Sequence, residues 1–176
     1  MKNVIPSLYW GLGNTFTYKN WDLDVFIYSQ LGVDKYNDVY SWTSGRGLGN
    51  QTNNMSVYIK DVWHSELNPN GTIPGIAYEM ASVSLPGGAG TDIGYENSSF
   101  VRVRNITLGY NFKPNQLGTL SKLLSGIRVY VDVQNPFTFT GYTGLDPEVN
   151  TGGNYKGGKA EYPQTRTFSL GTKLSF

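Results

Sequence analysis

Apolar and polar side chains alternate with a period of two from Arg166 to Phe176, which is the pattern of a β-strand with one apolar face. Thr172 alone interrupts the apolar set, which consists of Phe168, Leu170, Leu174 and Phe176. The positions between them are small or polar: Thr167, Ser169, Gly171, Lys173 and Ser175. The pattern predicts an amphipathic strand over residues 165–176.

Two further alternating stretches, residues 7–18 and 21–31, flank the dipeptide Lys19-Asn20. Apolar positions are even-numbered in the first stretch and odd-numbered in the second. A two-residue hairpin loop requires this reversal, because Tyr18 then lies opposite Trp21 on the same face. The other face of the second strand is too polar for a sandwich core and suits a water-filled lumen. It carries Asp22, Asp24, Phe26, Tyr28 and Gln30.

Strands are also predicted over residues 100–112 and 127–135. In the first of these, Arg102 and Arg104 share the even-numbered positions of an apolar set that begins at Ile106. An arginine on a lipid-facing surface at mid-membrane costs about 2–4 kcal/mol, and the cost falls towards zero at the interface. We therefore expect both arginines at the outer rim, facing lipid phosphates.

Long aperiodic stretches, residues 32–99 and 136–164, alternate with short turns between the five strands. This asymmetry is typical of bacterial barrels, which have short periplasmic turns and long outer loops. The sequence thus predicts an all-β, antiparallel up-and-down meander of five long strands. A membrane barrel needs about eight strands, so the chain is expected to be the closing segment of a larger outer-membrane β-barrel. A soluble sandwich is the alternative.

Aromatic residues and the last strand supply two more membrane features. A lipid-interface girdle is predicted from Trp10, Tyr18, Trp21, Tyr110, Phe112 and Phe176. The last strand is similar to the C-terminal signal by which the barrel-assembly machinery recognises its substrates. The residues that carry this similarity are Ser169, Gly171, Leu174 and Phe176.

Composition narrows the possible functions. The chain has 176 residues and a net charge of +1, so no electrostatic case for nucleic acid exists. It has no cysteine, which excludes disulfides and thiolate metal sites. It also lacks an apolar run long enough for a transmembrane helix. The start of the sequence has no signal-peptide core, and we expect the true N-terminus to lie elsewhere.

Catalytic motifs receive little support, and the sequence predicts neither an enzyme nor a metal or cofactor. The one histidine, His64, lies in a polar loop without a nucleophile motif beside it. The glycine-rich stretch from Gly45 to Gly49 follows no strand, so it is not a phosphate loop. Asp146 and Glu148 suggest calcium ligands, but a turn shaped by Asp146 and Pro147 is the favoured interpretation.

Ligand binding is better supported, because aromatic side chains are frequent in the two long loops. Aromatic faces stack on sugar rings, and a tyrosine adds a hydroxyl group. The candidate substrate-binding residues are Trp42, Tyr58, Trp63, Tyr78, Tyr142 and Tyr155. The alternative is that these rings pack the loops against one another.

Four pieces of the chain, taken in order, resemble the closing strands and loops of SusC/RagA-type TonB-dependent outer-membrane transporters. They are DVWHSELNPNGTIP (61–74), SSFVRVRNITLGYNF (98–112), IRVYVDVQNPFTFTGYTGLDPEVN (127–150) and YPQTRTFSLGTKLSF (162–176). The resemblance covers nearly the whole chain but only about the last fifth of a family member, whose barrel has about 22 strands. The plug domain, signal peptide and TonB-contacting segment would lie upstream.

The resemblance implies import of a glycan or peptide across the Gram-negative outer membrane. Its implied partners are the remainder of the barrel and plug, a SusD-like lipoprotein, TonB through the upstream part, the barrel-assembly machinery and the membrane itself. Two alternatives stay open. One is a soluble all-β carbohydrate-binding module, and the other is a truncated fragment without activity. The sequence names neither the substrate nor the lipoprotein.

Overall fold

The computed structural model describes residues 2–37, 56–72, 94–149 and 162–176. The chain divides into two compact units. The sheet unit comprises Pro6–Gly32, Ser99–Gly141 and Pro163–Phe176, and the loop unit comprises Met1–Ile5, Val33–Ser98 and Tyr142–Tyr162.

Five long strands form the sheet unit, in the order β1-β2-β5-β6-β7 with every neighbouring pair antiparallel. Their bounds are β1 Leu8–Tyr18, β2 Trp21–Leu31, β5 Phe100–Phe112, β6 Gly126–Thr140 and β7 Thr167–Ser175. Two short strands, β3 Asp34–Tyr36 and β4 Tyr95–Asn97, pair with each other in the loop unit. The prediction of an all-β antiparallel meander is confirmed.

The hairpin between β1 and β2 has the register that its phase reversal predicts. Tyr18 is paired with Trp21, and the ladder continues without a shift to Leu8 and Leu31. Lys19 adopts a left-handed φ of 58°, which a two-residue loop requires of a central residue. The odd-numbered residues of β2, from Trp21 to Ile27, lie on what we call the apolar face. The even-numbered residues, from Asp22 to Tyr28, lie on the polar face.

A bulge in β5 overturns the prediction for Arg102 and Arg104. Phe26 pairs with Asn105 and Ile27 with Val103, so Arg104 is one residue more than β2 can match. An extra residue reverses the alternation of faces beyond it. Arg102 therefore pairs with Tyr28 on the polar face, where it is 2% exposed, and it does not face lipid phosphates.

Strand β6 is longer than predicted, since it runs to Thr140 and not to Asn135. Proline cannot donate a ladder hydrogen bond, and Pro136 nevertheless lies inside this strand. The structure accommodates it in a second irregularity, where β6 advances from Gln134 to Phe137 while β5 moves only from Asn105 to Val103. Asn135 has a φ of 48° at this point. The prediction that a loop begins at residue 136 is therefore wrong.

The apolar face of the sheet is largely exposed. Apart from prolines, the buried apolar side chains among the described residues are Val33, Phe100 and Leu124. By contrast, Leu170 is 75% exposed and Phe16 is 59% exposed. A soluble sandwich buries one face of each strand against a second sheet, so this exposure counts against that alternative.

Three short 3-10 helices complete the described structure: Val57–Asp61, Pro114–Gln116 and Gly118–Lys122. The last two lie between β5 and β6. None of the helices in the described part of the chain is long and apolar enough to cross a membrane.

Candidate functional site

An ion pair crosses the polar face of the sheet near one end, which we call the short-turn end because the β1–β2 and β5–β6 turns lie there. Arg128 on β6 donates through Nε to the two carboxylate oxygens of Asp22 on β2, at 3.1 and 3.2 Å, and through Nη2 to Oδ2. Strand β5 lies between the two residues and presents Gly109 there, in register with Asp22 and Tyr130. A Cβ at Gly109 would lie 2.5 Å from Asp22 Oδ2 and 2.6 Å from Arg128 Nε. The pair therefore occupies space that is open because residue 109 is a glycine.

Hydrogen bonds between neighbouring strands surround this ion pair. Asn111 donates to Asp22 at 2.5 Å, and Thr15 donates to Asp24 at 2.5 Å. Asp24 Oδ2 also lies 4.0 Å from Arg128 Nη2. Thr107 donates to Asp132 at 2.7 Å. The polar side chains of this face thus cross-link β1, β2, β5 and β6 in one register.

Arginines stack on aromatic rings at the other end of the polar face. Arg102 Cζ lies 5.3 Å from the centroid of Phe100, and Arg102 Nε donates to Thr138 at 2.9 Å. Arg104 Cζ lies 5.3 Å from the centroid of Tyr28. Such cation–π contacts stabilise the guanidinium groups where the sheet limits their hydration.

We use the word row for a set of residues that are paired with one another across neighbouring strands. On the apolar face, four of the six predicted girdle residues lie at the short-turn end, within two adjacent rows. Trp21 is paired with Tyr18 and with Tyr110, whose ring lies 4.8 Å from the indole. The rings of Tyr110 and Phe112 are 4.7 Å apart. The hydroxyl group of Tyr110 accepts a hydrogen bond from Gln116 at 3.3 Å. Phe176, which is 83% exposed, follows Ser175 at the same end of the sheet.

Trp10, the remaining girdle candidate, lies in a different row. It is eight residues from Tyr18 along β1, a distance of about 27 Å at a rise of about 3.4 Å per residue. Its row runs through Ser29 and Val101 to Phe139. Aromatic residues of the apolar face thus lie at both ends of the strands, and the distance between Tyr18 and Trp10 is close to the height of about 25 Å of the apolar band in membrane barrels.

The four residues of the predicted assembly signal all lie on or next to β7. Ser169 pairs with Asp132, and Gly171 pairs with Tyr130, on the polar face. The ring of Tyr130 lies over Gly171 so closely that a Cβ would collide with it. Leu174 pairs with Ile127 on the apolar face.

In the loop unit, hydrogen bonds join two segments that are far apart in the sequence. Glu96 on β4 accepts hydrogen bonds from the backbone N–H of Thr143 at 2.9 Å and from its hydroxyl group at 2.8 Å. Asn37 donates to Glu96 at 2.8 Å and to Thr143 at 3.0 Å. Asn37 is 2% exposed. The segment that follows β6 is thereby attached to the β3–β4 pair.

Lys35 makes the second attachment. Its ammonium group donates to the backbone carbonyl oxygens of Asp146, at 3.0 Å, and Val149. It also lies 5.5 Å from the centroid of the Tyr142 ring. The carboxylate of Asp146 accepts from the backbone N–H of Glu148 at 2.8 Å. Asp146 therefore shapes a turn, as favoured over the calcium interpretation.

Of the other predicted ligand-binding residues, Trp63 is described and is 48% exposed. Tyr58 lies in the helix Val57–Asp61, but its side chain falls outside the described residues, as do Trp42, Tyr78 and Tyr155 altogether. Next to Trp63, His64 Nδ1 accepts from the backbone N–H groups of Glu66 and Leu67 at 3.2 and 3.1 Å. This contact gives the one histidine a structural role within its turn.

Sequence reasoning did not find Lys35, Asn37, Glu96 or Thr143. The contacts of Lys35 and Asn37 with the segment after β6 span more than 100 residues of sequence, and no local pattern marks them. The bulge in β5, by contrast, is visible in the amino-acid sequence of that strand. Its apolar residues change from odd positions, Val101 and Val103, to even positions from Ile106 onwards.

Curated proteins with related sequences align with nearly the whole chain. It is 34% identical over 168 residues to the TonB-dependent receptor SusC of Bacteroides thetaiotaomicron, covering 94% of this chain and 15% of the relative. It is 31% identical over 179 residues to the TonB-dependent receptor P3 of Formosa agariphila, covering 97% and 16%. The chain thus spans about a sixth of the length of these relatives. No protein-family model matches it.

Solved structures are also similar in fold to nearly the whole chain. The RagAB peptide importer in its closed-closed state matches with a TM-score of 0.78 and 25% identity, over 99% of this chain and 18% of the importer chain. A second structure of the RagAB peptide transporter matches equally well, with a TM-score of 0.78. The chain is therefore similar in fold to a part of the RagAB peptide importer.

Proposed function

Because this chain belongs to the SusC/RagA-type TonB-dependent receptors and corresponds to their C-terminal part, we propose that it forms a section of the wall of a Gram-negative outer-membrane importer. The observation that carries the proposal is the sheet itself. Its apolar face is exposed and carries aromatic residues at both ends of its strands, while its polar face holds an ion pair and hydrogen-bonded side chains. A wall between lipid and a water-filled lumen requires these two faces.

In this proposal, the two edge strands β1 and β7 are paired with strands from the remainder of the barrel. Unpaired backbone groups in hydrocarbon cost several kcal/mol each, so the sheet is stable in a membrane only when the barrel is closed. The polar face then borders the plug domain. TonB acts on that plug from the periplasm and opens the path for the nutrient.

We also assign substrate capture to the outer loops, in contact with a SusD-like lipoprotein. Tyr142 and Trp63 are the described candidates, and Trp42, Tyr58, Tyr78 and Tyr155 complete the set. Aromatic rings bind a sugar or the side chains of a peptide through their faces. The substrate class we propose is therefore an oligomeric nutrient, a glycan or a peptide, that crosses the membrane without chemical change.

The last strand has a second role in the proposal. Ser169, Gly171, Leu174 and Phe176 form the signal by which the barrel-assembly machinery receives the chain. Leu174 and Phe176 are 49% and 83% exposed, and both are therefore open to contact with another protein during assembly.

Uptake by living cells tests the importer function. Cells with and without the full-length receptor, in backgrounds with and without TonB, would be given fluorescently labelled maltoheptaose and a labelled decapeptide. We expect uptake of one of these probes to require both the receptor and TonB, and to fall when the lipoprotein gene is removed. Uptake of both probes that is independent of the receptor would contradict the proposal.

A further inference from the structure

The segment from Tyr142 to Val149 is folded around the ammonium group of Lys35. Two backbone carbonyl oxygens of the segment, those of Asp146 and Val149, accept hydrogen bonds from this group. Hydrogen bonds with a charged donor are roughly twice as strong as neutral ones. Between the two carbonyls, the N–H of Glu148 is held by the Asp146 side chain at 2.8 Å. One lysine thus satisfies both ends of a tight turn.

Tyr142 is held on two sides within the same unit. The Lys35 ammonium group lies 5.5 Å from its ring centroid. Gly144 lies against the ring so closely that a Cβ there would collide with it. The Tyr142 ring is half-buried, and the residue after Gly144, Leu145, is 62% exposed.

We propose that Lys35 is a positioning residue, which fixes the turn 146–149 and orients the Tyr142 ring as a rigid platform for the nutrient. A ring that is already fixed loses little conformational entropy when a ligand binds, and the affinity is correspondingly higher. Lys35 need not touch the ligand, because it acts through Tyr142. The ligand part of this inference rests on the function proposed above, whereas the anchoring part does not.

The Asn37–Glu96–Thr143 cluster is a separate anchor at the start of the segment. The N–H of Thr143 donates to Glu96 at 2.9 Å. Two backbone amides therefore report on two different attachments. The amide of Glu148 reports on the Lys35 anchor, and that of Thr143 reports on the Glu96 anchor.

Hydrogen exchange of the ligand-free, full-length receptor tests the anchor directly. In Lys35→Met, which keeps an apolar stem but removes the charge, we expect the Glu148 amide to exchange about tenfold faster, with a smaller change at Thr143. Lys35→Arg keeps a charged donor and should retain most of the protection. Lys19→Met is the matched control, because the Lys19 ammonium group also lies 5.3 Å from a tyrosine ring, that of Tyr18. Unchanged exchange of Glu148 in Lys35→Met would overturn the inference.

Binding of unlabelled maltoheptaose and of a decapeptide tests the platform. For the probe that the wild type binds, we expect Kd to rise about five- to tenfold in Lys35→Met and at least as much in Tyr142→Ala, with Lys19→Met unchanged. Faster Glu148 exchange with an unaltered Kd would overturn the positioning role. Failure of the wild type to bind either probe would count against the proposed capture function, and the exchange result would still decide the anchor.

Discussion

Arg128 and Asp22 form an ion pair across an intervening strand, with Gly109 directly beneath the contact. The side chains are 26% and 12% exposed, so both charges are largely removed from water. A partly buried pair of this kind is costly to break, because the remaining partner keeps an uncompensated charge. The contact joins β2 to β6 and thereby fixes the register of three strands at the short-turn end.

Removing either charge should destabilise the receptor by about 1–3 kcal/mol. Asp22→Asn, Arg128→Gln and the double variant form a double-mutant cycle, from which we expect a coupling free energy of about 1–3 kcal/mol. The measurement is the guanidinium midpoint of the full-length receptor in lipid vesicles, followed by tryptophan fluorescence. Lys173→Gln is the control, since Lys173 is paired with Arg128 in register but lies outside the ion pair. Additive single effects would contradict the coupling.

Gly109→Ala should cost nearly as much as losing the ion pair. The new Cβ would lie within 2.7 Å of both partners, so the carboxylate and the guanidinium must both shift, and we expect this to weaken their contact. Gly126→Ala is a suitable control on β6, because its Cβ would lie 3.6 Å from the nearest atom, the carbonyl oxygen of Phe112. The same denaturation midpoint separates the two variants. Equal midpoints for both glycine variants would show that the space above Gly109 is unimportant.

The C-terminal residue should control assembly more than stability. Phe176→Ala is expected to lower the amount of folded receptor in the outer membrane severalfold, whereas Ser175→Ala should leave it unchanged. Heat-modifiable mobility of the receptor in outer-membrane fractions measures this amount. If Phe176→Ala assembles as well as Ser175→Ala, the last strand is not the recognition signal.

The period-two pattern was sufficient to predict the strands because each long strand of the sheet unit separates an apolar from a polar environment. The hairpin register followed from the phase reversal at Lys19 and Asn20, a purely local feature. The end of β6 was predicted at Asn135, whereas the strand continues to Thr140 through an irregularity in its pairing with β5, which accommodates Pro136. Local rules therefore described regular strands well and irregular ones poorly.

The orientation of Arg102 was predicted wrongly for a related reason. Its even position was counted in phase with Ile106, although Val101 and Val103 already showed the opposite phase. The loop anchors were beyond prediction altogether, because Lys35 and Asp146 are 111 residues apart and meet only in the folded chain. For the candidate ligand residue Tyr142, the sequence predicts the residue type, and only the structure reveals its neighbours Lys35 and Gly144.

Spin labels along β5 test most directly whether this sheet is a membrane wall with a bulge at Arg104. Single cysteines would be introduced from position 100 to 112 into a cysteine-free full-length receptor in lipid vesicles and labelled, and collision with oxygen would be measured. We expect high oxygen accessibility at even positions from Ile106 to Phe112 and at odd positions Val101 and Val103, with Arg102 protected. Uniform accessibility along β5, or oxygen-accessible even positions throughout, would contradict the account.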